Sequence, residues 1–152
     1  MMDLVAAVRL ALAETWVFYF KAHSFHWNVR GPLFRQFHQL FGDLYEDLHG
    51  AVDTLAERLR ALDALAPASL DEIATGSAIA FTPPPAAADM VAQLLAANDV
   101  VITALDDANQ AAIAGGNDGL ANLLQERLDM HAKWGWMLRA TLDPDQASGA
   151  VA

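Results

Sequence analysis

The sequence predicts an all-α protein: a four-helix bundle with a long crossover connection between its second and third long helices. Three observations carry this. Apolar residues recur at steps of three and four almost everywhere, and no stretch alternates as a strand would. The breaks fall at Gly31-Pro32, at residues 63 to 87 and at Gly115-Gly116, giving two short connections and one long one. A chain of 152 residues suits a single domain with a sizeable core, so residues 1–152 read as one unit, with a core of about 4–142 and a loose tail over 143–152.

The first helix is expected from about Leu4 to Asn28, where Val5, Val8, Leu12, Trp16, Tyr19 and His23 share a stripe. Gly31-Pro32 stops it, and Pro32 then sits near the start of the second helix, where its missing N–H does no harm. The second helix reads through Phe34, Phe37, Phe41, Leu44, Leu48, Val52, Leu55 and Leu59 and ends near Leu62. In the long connection, Ser69-Leu70-Asp71-Glu72 caps a short helix of about two turns. Pro83 to Pro85 then forbid a helix interior. The third long helix carries Met90, Leu94, Ala97, Val101, Leu105, Ala108 and Ala112 on one face. The fourth runs from about Asp118 to Leu142 with Leu120, Leu124, Leu128, His131, Trp134 and Leu138 aligned. A long middle connection of this kind can carry the chain the length of the bundle.

Composition excludes several classes of function. There is no cysteine, which removes disulfides, thiolate metal sites and cysteine nucleophiles and fits a reducing compartment; the expectation is the cytoplasm. Residues 1 to 12 contain Asp3 and Arg9 and no charged region followed by an apolar block, so no secretory leader is expected. No run of about 18 uncharged apolar residues exists, so no membrane span is expected. The formal net charge is −10, with two lysines and seven arginines, which argues against a phosphate-binding surface. A hydrophobic content of 55% is high for this length, and surplus apolar surface of that kind goes into subunit contacts.

Chemistry concentrates in HSFHWNVRGPLFRQFH, residues 23–38, which holds His23, His26 and His38 around the Gly-Pro break. Asp53 and Glu57 follow on the second helix, four apart and therefore on one face. Imidazole nitrogen with carboxylate oxygen suits iron, manganese or zinc better than calcium or magnesium. His38 and Asp53 are 15 residues apart on one helix, about 22 Å at about 1.5 Å per residue, and Glu57 is about 28 Å away. A metal–ligand bond is about 2 Å long. One ion therefore cannot take His38 and the two acids from the same chain. If these residues form one site, its halves come from two antiparallel subunits, and a two-fold axis makes two equivalent sites. The plainer reading is that the acids form helix ion pairs beside Arg58 and Arg60, and that His26 and His38 are hydrogen-bonded core histidines. His23, His49 and His131 carry no metal pattern of their own, and Trp27, Trp134 and Trp136 read as core or interface aromatics.

HWNVRGPLFRQFHQLF followed by YEDLHGAVDTLAERLRAL resembles the Dps miniferritins, and HAKWGWMLRATL resembles their last helix. The likeness covers about residues 10 to 142. It implies a ferritin-like bundle, a hollow shell of twelve subunits and ferroxidase sites at two-fold interfaces that oxidise and store iron. The ligands it implies are His26, His38, Asp53 and Glu57, with Asp118 at an iron-entry pore. Zinc or manganese are the other metals such a donor set accepts. Three departures stand out. Gly42 occupies a position where the family commonly has an aspartate. Ala114 and Asn122 stand where pore acids often occur. No basic terminal tail is present for DNA, and twelve copies carry a formal charge of about −120. The competing expectation is a non-enzymatic shell or scaffold with a degenerate metal site.

Overall fold

The computed structural model describes residues 2–143. Among them lie five helices and no strand: α1 (Leu4–Asn28), α2 (Phe34–Ala61), α3 (Leu70–Gly76), α4 (Ala87–Ala114) and α5 (Asp118–Leu142). The expected tail falls almost entirely outside the described residues. α1 packs on α2 and on α4, and α5 packs on α4, so α1, α2, α4 and α5 form the bundle and α3 rides on α1.

The helix boundaries follow local chemistry. Asp3, Ser69 and Asn117 accept N–H bonds from Ala6, Glu72 and Leu120, capping α1, α3 and α5. The α1–α2 turn needs Gly31, whose φ of 120° lies where side chains are disfavoured. α2 begins at Phe34 with Leu33 as its N-cap, so Pro32 lies in the turn ahead of the helix rather than in its first turn. α4 ends in a Schellman turn: Gly116 at φ 68° lets Asn117 N–H reach Ala112 O and Gly116 N–H reach Ile113 O. α2 ends the same way, with Ala64 N–H on Leu59 O and Asp63 N–H on Arg60 O, but there the left-handed residue is Asp63 at φ 59°.

The crossover climbs alongside α1, and three α1 side chains fix its path. Arg9 donates to Leu65 O and pairs with Glu72 at 3.2 Å. Glu14, buried, accepts from Ser77 Oγ and from Ala78 N–H. Lys21, also buried, donates to Ala80 O at 2.8 Å, and burial pulls its ammonium pKa down. Each is a polar group in α1 matched to a backbone or hydroxyl group that the connection would otherwise leave unpaired.

The core is almost wholly aliphatic and phenylalanine: Phe18, Phe41, Leu44, Leu48, Leu94, Leu105 and Leu124 are fully buried. α4 reaches a mean hydropathy of 1.4 over 18 residues, enough by length and composition to cross a membrane. Its Met90, Val91, Leu94, Val101 and Leu105 instead fill the bundle interior, which accounts for the hydropathy.

Candidate metal centre

His26 lies in the last turn of α1 and His38 at the start of α2, and the short turn between them brings the rings together. Their centroids are 3.7 Å apart and the planes differ by 20°. Each ring bonds to the other residue's backbone: His26 Nδ1 to His38 O at 2.7 Å, and His38 Nδ1 to His26 O at 2.8 Å. A carbonyl only accepts, so both Nδ1 atoms carry the proton. In the neutral form of each ring, Nε2 is then the nitrogen that carries the lone pair. This is the arrangement in which a ligand histidine has its tautomer and orientation set by an outer hydrogen bond.

The surroundings hold the pair still. Phe34 stacks near His38 at 4.9 Å, and Tyr45 meets His26 edge-on at 5.1 Å. Gly42 lies beneath the His26 ring, where a Cβ would come within 3.3 Å of Nδ1. The position that lacks the expected carboxylate is thus a position that the imidazole crowds.

Asp53 and Glu57 are exposed on α2 and make no ion pair or hydrogen bond among the described residues, where the ion pairs are Arg9–Glu72 and Arg127–Asp47. The plainer expectation of helix ion pairs for these acids is therefore not realised there. Among the described residues no group of three or more histidines and acids converges within one chain. The structure brings His26 to His38 and leaves the two acids several turns along α2. Asp118 is exposed in the first turn of α5, with Ala114 and Asn122 also exposed.

Two features escaped the sequence reading. His23 stacks on Tyr45 at 3.9 Å, lies 4.1 Å from Trp27 and bonds Tyr19 Oη through Nδ1 at 3.3 Å. Burial, then the neighbouring His26 and His49, hold its pKa below the usual histidine value. Its spacing three before His26 was the available signal. The second feature is a polar knot inside the bundle. Arg127 donates two bonds of 2.9 Å to Asp47, Trp134 Nε1–H donates to Asp47 at 2.8 Å, and Arg127 reaches His131 Nε2 at 3.3 Å. His131 Nδ1–H donates to Asn98 Oδ1 at 2.8 Å, and Asn98 donates back to His131 O. Burial, then the Arg127 charge, push the His131 pKa down to about 3. Burial raises the Asp47 pKa, but the bonds and charge of Arg127 outweigh it and hold the carboxyl below its usual value. His131 is thus the hydrogen-bonded core histidine that its apolar stripe suggests.

The Ferritin-like domain family pattern matches residues 5–147. The "DNA protection during starvation protein" of Brevibacillus brevis is 35% identical over 151 residues, covering 93% of this chain and 96% of that one. The structure of Dps from Thermosynechococcus elongatus aligns with a TM-score of 0.88 at 25% identity, covering 92% and 90% of the two chains. A Dps protein from Vibrio cholerae, described as a member of a broad superfamily of ferritin-like diiron-carboxylate proteins, aligns with a TM-score of 0.88 at 28% identity, covering 92% and 89%. The fold and the match together define a ferritin-like protein. Within that class, the chain belongs to the Dps family of miniferritins.

Proposed function

We propose that this chain is an iron-oxidising, iron-storing miniferritin whose oxidation site forms between two antiparallel subunits. The observation that carries the reading is the His26–His38 pair, stacked 3.7 Å apart with each Nδ1 held by the other residue's carbonyl, which leaves Nε2 of each ring as the nitrogen for a metal. Two imidazoles hold Fe(II) but supply no charge. Asp53 and Glu57 of the partner subunit supply two carboxylates, which favour the higher charge of Fe(III). Fe(II) is the substrate. Two Fe(II) ions give one electron each to hydrogen peroxide, whose O–O bond breaks and takes two protons to leave two waters. The reaction consumes both reagents of hydroxyl-radical formation. The ferric product mineralises inside a shell of twelve subunits, reached through pores that Asp118 helps to line. Protection of DNA then needs no contact, in keeping with the net charge of −10.

A mixing experiment tests this. One chain carries His26→Ala and His38→Ala, the other Asp53→Ala and Glu57→Ala. Each alone is inactive. Random pairing makes half of the dimers mixed, and each mixed dimer has one of its two sites intact. Co-assembled at equal amounts, the two chains recover about a quarter of the wild-type Fe(II) oxidation rate, because the site is shared between subunits. No recovery, with active wild type, rejects the shared site. Gly42 favours a second reading, a shell or scaffold with zinc or manganese in a site too poor for oxidation. Wild-type protein that assembles but does not oxidise Fe(II) would establish that reading instead.

A further inference from the structure

The proposed ligand spacing sets how two copies of α2 face each other, and the centre of that face holds Glu46 and His49, which take no part in the iron site. This inference rests on the antiparallel pairing proposed above. His26 packs over Gly42, so the histidine half of the site spans the α2 levels of residues 38 and 42. Setting His38 against the partner's Glu57, and Gly42 against the partner's Asp53, gives paired residue numbers that add to 95 in both cases. The two-fold axis then crosses α2 between Asp47 and Leu48. The facing pair nearest that axis is Glu46 with the partner's His49, made twice by symmetry.

Angular position agrees independently. At about 100° per residue, with His38 at zero, Gly42, Asp53 and Glu57 fall at about 40°, 60° and 100°. His49 falls at about 20° and Glu46 at about 80°, inside the arc the proposed ligands span. Both are exposed, and neither makes a hydrogen bond or ion pair among the described residues. His49 rests against the Tyr19 ring, with centroids 5.3 Å apart. Glu46 and His49 are three apart, so they are neighbours on one helix surface. The next facing pair sets Gly50, which has open space where a Cβ would stand, against the partner's Tyr45. The helix face therefore has room for the partner's large ring beside the axis.

We propose that Glu46 and His49 of two subunits form a second metal site on the two-fold axis, taking one divalent transition ion of the zinc class per two chains. Two imidazole nitrogens and two carboxylates suit a four-coordinate ion of that class. The site holds the dimer closed and is separate from the pair of iron sites on either side of it. It is invisible within one chain, which offers only half of its ligands.

Cobalt(II) is the probe. In a chain carrying His26→Ala and Asp53→Ala, metal-free protein binds one Co(II) per two chains, with the visible absorption of a four-coordinate ion. Adding His49→Ala or Glu46→Ala abolishes both the binding and the absorption. If the first variant does not fold, the same half-equivalent per chain is lost between wild type and His49→Ala. The chain has no cysteine, so a Glu46→Cys/His49→Cys variant reports the pairing alone by forming a disulfide-linked dimer under mild oxidation. If this dimer forms but the His26→Ala/Asp53→Ala chain, which keeps Glu46 and His49, takes up no half-equivalent of Co(II), the metal site is overturned and the interface kept. Absence of the linked dimer overturns the pairing beneath it.

Discussion

His131 makes the stability of the bundle depend on pH in a direction and over a window that the structure fixes. Its folded pKa is about 3, against an ordinary value of 6.5 once the chain unfolds. Above about pH 6.5 the ring is neutral in both states and contributes no pH dependence. Below that, the unfolded chain takes up a proton that the folded chain refuses. Stability therefore falls as pH drops through 6.5, and the loss is complete near pH 3. Each unit of pKa difference corresponds to about 1.4 kcal/mol, so the full loss is about 5 kcal/mol and the loss by pH 5 is about 2 kcal/mol. The cause is local: a charged imidazole would sit at 0% exposure beside the Arg127 guanidinium, with Asp47 already engaged by Arg127 and Trp134. His131→Gln removes the titrating ring. At pH 7 the variant is less stable by about 1–3 kcal/mol, because partners in the knot lose a bond. At pH 5 that deficit shrinks by about 2 kcal/mol, since only the wild type has paid the proton cost. Urea unfolding at fixed subunit concentration, followed by tryptophan fluorescence, reads both quantities. Subtracting the variant removes the contribution of His23, whose lowered pKa acts in the same direction. A deficit that stays constant between pH 7 and pH 5 would refute the assignment of the proton linkage to His131.

Two further outcomes test how particular backbone positions were chosen. Gly42→Ala fills the space beneath His26 and should slow Fe(II) oxidation; the gain of about 1 kcal/mol that Ala brings over Gly in a helix interior should be largely cancelled by the 3.3 Å contact, so a full gain with unchanged oxidation would show that the ring is not held there. Asp63→Gly relieves a left-handed backbone at φ 59° and should raise the urea-unfolding free energy by about 1 kcal/mol, whereas an unchanged value would mean that the aspartate side chain already compensates.

Much of this protein was legible in its sequence because much of it is local. The spacing of apolar residues gave α1 as Leu4–Asn28 and α5 as Asp118–Leu142, and Ser69 with Glu72 announced the short α3. Helical periodicity and caps depend on residues within a few positions of each other, so one chain's sequence suffices to read them. The separation of His38 from Asp53 and Glu57 was equally readable, since a rigid helix converts residue number into distance. Pro32 lies near the start of α2 as expected, two residues ahead of Phe34, but whether a proline falls in the turn or in the first helical turn is not readable until the turn geometry is known.

What only the tertiary structure decided is where polar side chains from distant segments meet. Nothing in the spacing of Asp47, Asn98, Arg127 and His131 says that they join in one buried knot, because their contacts depend on how α2, α4 and α5 pack. Nor does the sequence tell that the carbonyls of His26 and His38 fix each other's ring. That needs the two backbones to approach at one particular level of the α1–α2 hairpin. The sequence determined which residues have metal-binding chemistry and that one helix cannot gather them around a single ion. The fold decided how the two imidazoles are oriented and left room for His26 at Gly42, because orientation and close approach are properties of packed surfaces and not of residue order.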